Sequence, residues 1–197
     1  MRRKPLSIAI LGAFLFLYGS LAQSDSPSPR IVMLGDSITA WVDWTSLLNR
    51  TNVWNQGVAG DRTGDVLKRM EKVYRVKPKY CFLMIGINDI LNGLPVEATF
   101  DNYRKIVDEL TARGIIPVIQ STLYLAGPDR RNDLVEALNR QLRNLAEERK
   151  LPFLDLNRRL APHGQLLAAY TYDGLHLNNA GYMAWRDELL KYSMLFK

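Results

Sequence analysis

Residues 31–38 read IVMLGDSI, a short apolar run that ends at Gly35 and is followed at once by polar residues. An apolar run of this length, bounded by glycine, is typical of a strand buried on both faces of a parallel sheet. Similar runs recur along the chain at 53–57, 80–86, 115–120 and 153–156. The sequence therefore predicts five short strands, most of which lead into a more polar segment.

Helical patterns fill the intervals between these runs. They predict helices at 38–48, 63–76, 95–113 and 132–149, and a last one that begins after Asn178. Strands that alternate with helices form a parallel sheet covered on both faces. We expect an α/β fold, a flavodoxin-like three-layer αβα sandwich with a five-stranded parallel sheet of order 2-1-3-4-5. Ligands of such sheets bind beyond the carboxyl ends of the strands, where strands 1 and 3 diverge.

The composition narrows the class of protein. The chain has 197 residues, 47% of them hydrophobic, which suits one domain with a buried core. Cys81 is the single cysteine, so an intrachain disulfide is excluded, and its place in a predicted strand indicates a core residue. The two histidines, His163 and His176, are too few for a multi-histidine metal cage, and either could supply an imidazole base.

The amino-terminal residues have the arrangement of a secretory signal peptide. The basic segment RRK at 2–4 precedes an uncharged apolar stretch, which ends in the small residues SLA at 20–22. We expect a signal peptide at 1–22, a flexible leader at 23–29 and one domain at 30–197. An uncleaved membrane anchor is the alternative, disfavoured because the apolar stretch is short and no stop-transfer charges follow it. The sequence thus predicts a secreted or periplasmic protein without a stable membrane anchor.

The charge balance argues against nucleic acid as a partner. The formal charge is +6, and removal of residues 1–22 would take away three positive charges and leave +3. Nucleic-acid binding needs a concentrated basic stripe with aromatic residues between the charges. The densest basic cluster is predicted to be a solvated helix face. It consists of Lys68, Arg69, Lys72, Arg75, Lys77 and Lys79.

Polar residues follow each of the first three predicted strands. Ser37 lies at a strand-to-helix turn, where free helix amides favour negative charge, so it is either a nucleophile or an ordinary helix cap. Gly60 either lets its N–H approach an oxyanion or forms a tight turn. The Asn88 amide offers two N–H donors without a charge, which suits an oxyanion that exists in the transition state. We expect Asp89 to cap the short turn before Pro95.

A carboxylate and an imidazole lie close together near the carboxyl end, in the segment DGLH at 173–176. A carboxylate three residues before a histidine can curl back within one turn, hold the tautomer of the ring and stabilise the imidazolium. The segment around His163 lacks a carboxylate at comparable spacing. We therefore expect His176, with Asp173, to be the candidate base.

Taken in order, the segments GDS at 35–37, Gly60, GIND at 86–89 and DGLH at 173–176 resemble the SGNH (GDSL-type) hydrolase family. The resemblance spans residues 31 to about 192, and GDRT at 60–63 is similar to bacterial esterases near the platelet-activating-factor acetylhydrolase branch. It implies a serine esterase that cleaves short-chain acyl esters, acetyl esters above all, of carbohydrates or lipids. It also implies that no metal or organic cofactor is required.

The resemblance also assigns roles to the residues that match it. The nucleophile falls on Ser37, the base on His176 and the orienting carboxylate on Asp173. The oxyanion donors fall on the backbone amides of Ser37 and Gly60 and on the Asn88 side chain. The segment 120–125 lacks a proline often found in the family, which leaves the substrate-facing loop at that place open.

A non-catalytic carbohydrate- or lipid-binding module on the same fold is the alternative function. Trp41, Trp44, Trp54 and Tyr124 are predicted to lie near the rim of the cleft, where they would either stack on a sugar ring or pack in the ordinary way. The substrate contacts that we expect are Trp41, Tyr124 and Arg62, the last through an anionic part of the substrate.

Overall fold

The computed structural model describes residues 31–192, so the predicted signal peptide and leader lie outside the described residues. The strands are β1 (Ile31–Gly35), β2 (Val53–Gly57), β3 (Tyr80–Met84), β4 (Ile116–Gln120) and β5 (Phe153–Leu154). The helices are α1 (Ser37–Ala40), α2 (Trp44–Leu48), α3 (Thr63–Lys68), α4 (Glu71–Arg75), α5 (Ile87–Leu91), α6 (Val96–Ala112), α7 (Arg131–Arg149), α8 (Asn157–Leu160) and α9 (Asn179–Leu190). No helix of this part of the chain combines the length and the apolar character needed to cross a bilayer.

The strands form one parallel sheet of order β2-β1-β3-β4-β5, which confirms the predicted α/β fold. Gly35 at the end of β1 pairs in register with Gly57 of β2 and Met84 of β3. The carboxyl ends of these three strands are therefore level, and the loops that follow them begin side by side.

Helices cover the sheet in two packed groups. In the α6 layer, α6 packs against α3, α5 and α7, and in the α9 layer, α9 packs against α2 and α8. The Tyr182 hydroxyl of α9 donates to the Ile38 carbonyl of α1 at 2.8 Å, which places α1 in the α9 layer. Because β1 and β3 are buried throughout, the two layers cover opposite faces of the sheet. The predicted core position of Cys81 is confirmed, and burial raises the pKa of its thiol.

The end of β2 lies directly under α1. A Cβ atom at Gly57 would lie 2.3 Å from the Ala40 backbone nitrogen, closer than any real contact allows. Glycine at this position therefore lets α1 pack on the strand. The start of α1, which carries Ser37, is thereby held at the switch point between β1 and β3.

Local hydrogen bonds divide two of the predicted helices. The segment 38–48 forms α1 and α2 instead of one helix because the Asp43 carboxylate accepts from the Thr45 and Ser46 backbone N–H groups and starts α2 anew. The segment 63–76 likewise forms α3 and α4, with a break at Arg69.

Three other segments differ from expectation. Residues 87–91 and 157–160 form the short helices α5 and α8, which the sequence did not predict. The segment 120–125 is buried throughout and is held by the Asn139 side chain, so it is part of the core rather than a substrate-facing loop.

Candidate active site

Ser37 is the first residue of α1 and follows β1 with one residue between them. That residue, Asp36, caps the helix, because its Oδ1 accepts a hydrogen bond from the Ile38 backbone N–H at 3.0 Å. Ser37 itself is buried, and its Oγ lies 3.0 Å from Nε2 of His176. Residues 139 positions apart in sequence thus meet at the carboxyl end of β1.

Asp173 holds the other side of the His176 ring. Its Oδ2 lies 2.7 Å from His176 Nδ1, and its Oδ1 accepts from the backbone N–H groups of Leu175 and His176 at 2.9 and 2.8 Å. Thr171 closes the same turn, since its hydroxyl accepts from the Gly174 N–H and donates to the His176 carbonyl. The carboxylate therefore curls back on the imidazole as the spacing predicts.

These contacts fix the proton positions in the neutral ring. The side-chain hydrogen bond to His176, followed by the backbone N–H donors, lowers the pKa of Asp173 to about 2. An ionised carboxylate can only accept, so Nδ1 of His176 carries the proton. Nε2 is then left with its lone pair free to accept the hydroxyl proton of Ser37.

Three candidate donors follow the level carboxyl ends of β1, β2 and β3, namely the backbone N–H groups of Ser37 and Gly60 and the Asn88 side chain. Gly60 has φ of +81°, a conformation that glycine adopts without strain. Within residues 31–192, the backbone N–H groups of Ser37 and Gly60 have no hydrogen-bond acceptor. The Asn88 side-chain amide donates one N–H to the Asp61 carbonyl at 3.0 Å, and this hydrogen bond connects α5 to the loop that carries Gly60. The second N–H of the amide is left available as a donor.

Hydroxyl, imidazole, carboxylate and free N–H donors in this order suit acyl transfer through a serine nucleophile. The model of the GDSL-like Lipase/Acylhydrolase family matches residues 33–184, and this span contains every one of these groups. The chain belongs to this family. The SGNH resemblance is thereby confirmed.

Individual relatives of the chain extend the match. N-acylneuraminate cytidylyltransferase of Streptococcus agalactiae serotype III is 30% identical over 146 residues, 74% of this chain, so the chain spans about a third (34%) of the length of that curated relative. Platelet-activating factor acetylhydrolase IB subunit alpha1 of Bos taurus is 27% identical over 177 residues, which cover 82% of this chain and 74% of that protein. The crystal structure of a GDSL-like lipase from Bacteroides thetaiotaomicron superposes with a TM-score of 0.75 at 25% identity, covering 87% of this chain and 91% of the other.

Arg69 is a partly buried side chain beside the candidate site, and the prediction that it lies on a solvated face is wrong. Its Nε donates to Asp61 Oδ2 at 2.5 Å and its Nη2 to the Gly35 carbonyl at 3.0 Å, and the two charged side chains are 12% and 13% exposed. Because a run of basic residues has no feature that distinguishes one inward-turned member, the pattern could not single it out. The side chain ties the end of β1 to the loop after β2.

Asp89 was expected to cap the turn before Pro95, and this prediction is wrong for its side chain. The carboxylate is buried and accepts from the Thr63 backbone N–H at 2.9 Å and from the Thr63 hydroxyl at 2.5 Å. It therefore caps the start of α3 from the neighbouring helix α5. Burial is the largest influence on this carboxyl group and raises its pKa.

The predicted substrate contacts fall in different places. Trp41 lies at the site, since its exposed ring stacks on His176 with centroids 4.0 Å apart and planes inclined by 22°. The Arg62 guanidinium pairs with Asp65 at the start of α3. Tyr124 does not lie at the cleft rim, because it is buried and its hydroxyl donates to Glu136 of α7.

Trp44 is also a core residue rather than a rim residue. It is buried, and its ring meets Trp185 edge-on with centroids 4.8 Å apart. Among residues 31–192, no group of three or more histidine, cysteine or acidic side chains is placed to hold a metal ion.

Proposed function

We propose that this acylhydrolase is a serine esterase that hydrolyses short-chain acyl esters, acetyl esters above all, of carbohydrates or lipids. The observation that carries the proposal is the chain of hydrogen bonds from Ser37 Oγ through His176 to Asp173, with distances of 3.0 and 2.7 Å. The name of the Bos taurus relative, an acetylhydrolase, supports a short acyl group. The signal-like arrangement of residues 1–22 supports a secreted or periplasmic location.

The proposed reaction proceeds through an acyl-enzyme. Ser37 Oγ attacks the ester carbonyl carbon while its proton passes to His176 Nε2, and the oxyanion is bound by the N–H groups of Ser37 and Gly60 and the Asn88 amide. The C–O bond then breaks, and His176 donates the proton to the departing alcohol. Water attacks the acyl-enzyme, giving its proton to the same nitrogen, and the carboxylic acid leaves as the Ser37 hydroxyl is restored.

Replacement of the nucleophile tests this proposal. We expect Ser37→Ala to lower kcat on p-nitrophenyl acetate by roughly 10³-fold or more, with the fold intact by circular dichroism. Ser46→Ala serves as the matched control because Ser46 is exposed on α2, and its turnover should equal that of the parent. Equal turnover by parent and Ser37→Ala would refute the assignment.

Covalent labelling separates an enzyme acting through Ser37 from one acting through another group. A fluorophosphonate should add one adduct to the parent protein, located on the peptide that contains Ser37, and none to Ser37→Ala. A label on a different residue, or labelling retained in Ser37→Ala, would contradict the proposed mechanism.

A further inference from the structure

A groove between α2 and α9 adjoins the site. Its volume is about 480 Å³, and its apolar lining includes Trp41, Leu47, Tyr172, Leu177 and Met183. Of the seven large hydrophobic residues that are exposed among residues 31–192, three, Trp41, Tyr172 and Met183, line this groove. Exposed apolar side chains concentrated in one concave place mark a binding surface.

Trp41 joins the α2–α9 groove to the reacting groups. Its ring forms part of the groove lining and is also stacked on His176, whose Nε2 faces Ser37. A ligand chain in the groove would therefore end about one aromatic ring away from the reacting groups. Tyr172 strengthens this continuity, because it lines the groove and immediately precedes Asp173 in sequence.

The position of the groove indicates which half of an ester it would hold. Of the proposed oxyanion donors, Gly60 lies in the loop that leads into α3 and Asn88 lies in the first turn of α5, and both helices belong to the α6 layer. The groove lies in the opposite layer, beside His176. Because His176 has to protonate the departing oxygen in the proposed mechanism, the alcohol half of the ester extends toward this side.

The polar groups of the lining are poorly suited to a sugar or an anionic headgroup. The Asp43 carboxylate accepts from Thr45 and Ser46, and the Tyr182 hydroxyl donates to the Ile38 carbonyl, so both have partners within the fold. This leaves Asn179 and the exposed Tyr172 hydroxyl, and the lining contains no lysine or arginine. A carbohydrate would need several free donors and acceptors, and a phosphate would need a cation.

We infer that the α2–α9 groove binds the apolar alcohol portion of the substrate, so that the enzyme prefers short-acyl esters of long aliphatic alcohols to those of sugars. This inference rests on the proposed esterase function. The flexible Met183 side chain and the aromatic walls suit an alkyl chain of variable shape.

A series of alkyl acetates tests the inference, with hydrolysis followed by pH-stat below the solubility limit of each ester. We expect kcat/KM of the parent to rise by at least about tenfold from ethyl to octyl acetate, because each buried methylene group favours binding. 1-Octanol should inhibit ethyl acetate hydrolysis competitively, at concentrations at which ethanol does not. An acetylated methyl xyloside should be hydrolysed more slowly than octyl acetate.

Met183→Glu places a carboxylate in the groove. It should reduce the ratio of kcat/KM on octyl acetate to kcat/KM on ethyl acetate to about the value of an enzyme without chain preference. Leu134→Glu is the matched control, because Leu134 lies on α7 and both side chains are 42% exposed. The control should keep the parent ratio. If Met183→Glu fails to fold, the parent series and the 1-octanol inhibition decide the question.

Different results overturn different statements. A flat alkyl series in the parent, a faster rate on the acetylated sugar, or a ratio unchanged by Met183→Glu would overturn the groove assignment. Failure of the parent to hydrolyse ethyl or p-nitrophenyl acetate faster than Ser37→Ala would overturn the proposed function instead.

Discussion

At the scale of single residues, Asp173 decides which nitrogen of His176 carries the proton. In Asp173→Asn the side-chain amide can donate to Nδ1, which moves the ring proton to Nε2 and leaves no acceptor for the Ser37 hydroxyl. We expect kcat on p-nitrophenyl acetate to fall by roughly 10³- to 10⁴-fold with little change in KM. Asp155→Asn, a carboxylate paired with Arg143 elsewhere, should keep full activity. A loss of less than tenfold in Asp173→Asn would show that His176 does not depend on this carboxylate.

A second residue, Asp36, which caps α1, makes the stability of the protein depend on pH. Burial raises its pKa from 3.8 to about 7, so the folded protein holds this proton more tightly than the unfolded chain. The contribution of Asp36 to the free energy of unfolding is therefore fully present below pH 3.8, and it is lost as the pH rises toward 7. Asp36→Asn keeps an oxygen for the Ile38 N–H and cannot ionise. We expect it to be more stable than the parent by roughly 2–4 kcal/mol at about pH 8, with a gain that shrinks toward acid, in urea denaturation.

Asp43 provides the control of opposite sign for this experiment. Hydrogen bonds from Ser46 and Thr45 lower its pKa to about 2, so its contribution is present above pH 3.8 and is lost as the pH falls toward 2. Asp43→Asn should therefore be less stable than the parent near neutral pH, and the difference should vanish in acid. A gain in Asp36→Asn that is independent of pH would show that ionisation of Asp36 is not the cause.

At the scale of elements, Arg69 holds the end of β1 against the loop between β2 and α3. We expect Arg69→Met to lower the free energy of unfolding by roughly 1–3 kcal/mol, since the partly buried Asp61 carboxylate would be left without its partner. The loop that carries Gly60 would shift, so kcat should fall by roughly tenfold or more, with KM less affected. Both quantities are measured well below the unfolding temperature, and Arg69→Lys should restore part of the loss in kcat.

The neighbouring arginine on α4 supplies the control for this prediction. Arg75 pairs with Glu71 on the surface, and its side chain is 77% exposed. Arg75→Met should therefore leave both stability and turnover within experimental error of the parent. If Arg69→Met loses stability but keeps the parent kcat, Arg69 supports the fold without positioning the oxyanion donors.

The same elements show what the sequence can and cannot predict. Short apolar runs predicted the five strands because burial on both faces leaves a clear pattern, and the order was predicted from the alternation of strands and helices, for which 2-1-3-4-5 is a common arrangement. The division of 38–48 into α1 and α2 depends on one side chain, Asp43, that competes for backbone donors, and periodicity is not sensitive to that. The inward turn of Arg69 and the burial of Tyr124 depend on partners far away in sequence, which no local pattern contains.

At the scale of the whole molecule, the site requires both helical layers. The segments with Ser37, Gly60 and Asn88 were predictable because the ends of parallel strands meet, and their polar residues interrupt apolar runs. The α2–α9 groove was not predictable, since Trp41 and Met183 are brought together by the packing of α9 against α2. The α6 layer, which holds the proposed oxyanion donors Gly60 and Asn88, thus differs from the layer that would select the alcohol.

The full chain gives a last prediction, which concerns export. In a Gram-negative host we expect the 197-residue chain to lose residues 1–22 and accumulate outside the cytoplasm with Gln23 as its first residue. Leu11→Arg places a charge in the uncharged apolar stretch and should leave the chain uncleaved in the cytoplasm, whereas Leu11→Ile should behave as the parent. Cell fractionation with intact-mass measurement distinguishes these outcomes. An uncleaved parent chain in the membrane fraction would instead favour the anchor, because a cleaved signal peptide cannot retain the domain at the bilayer.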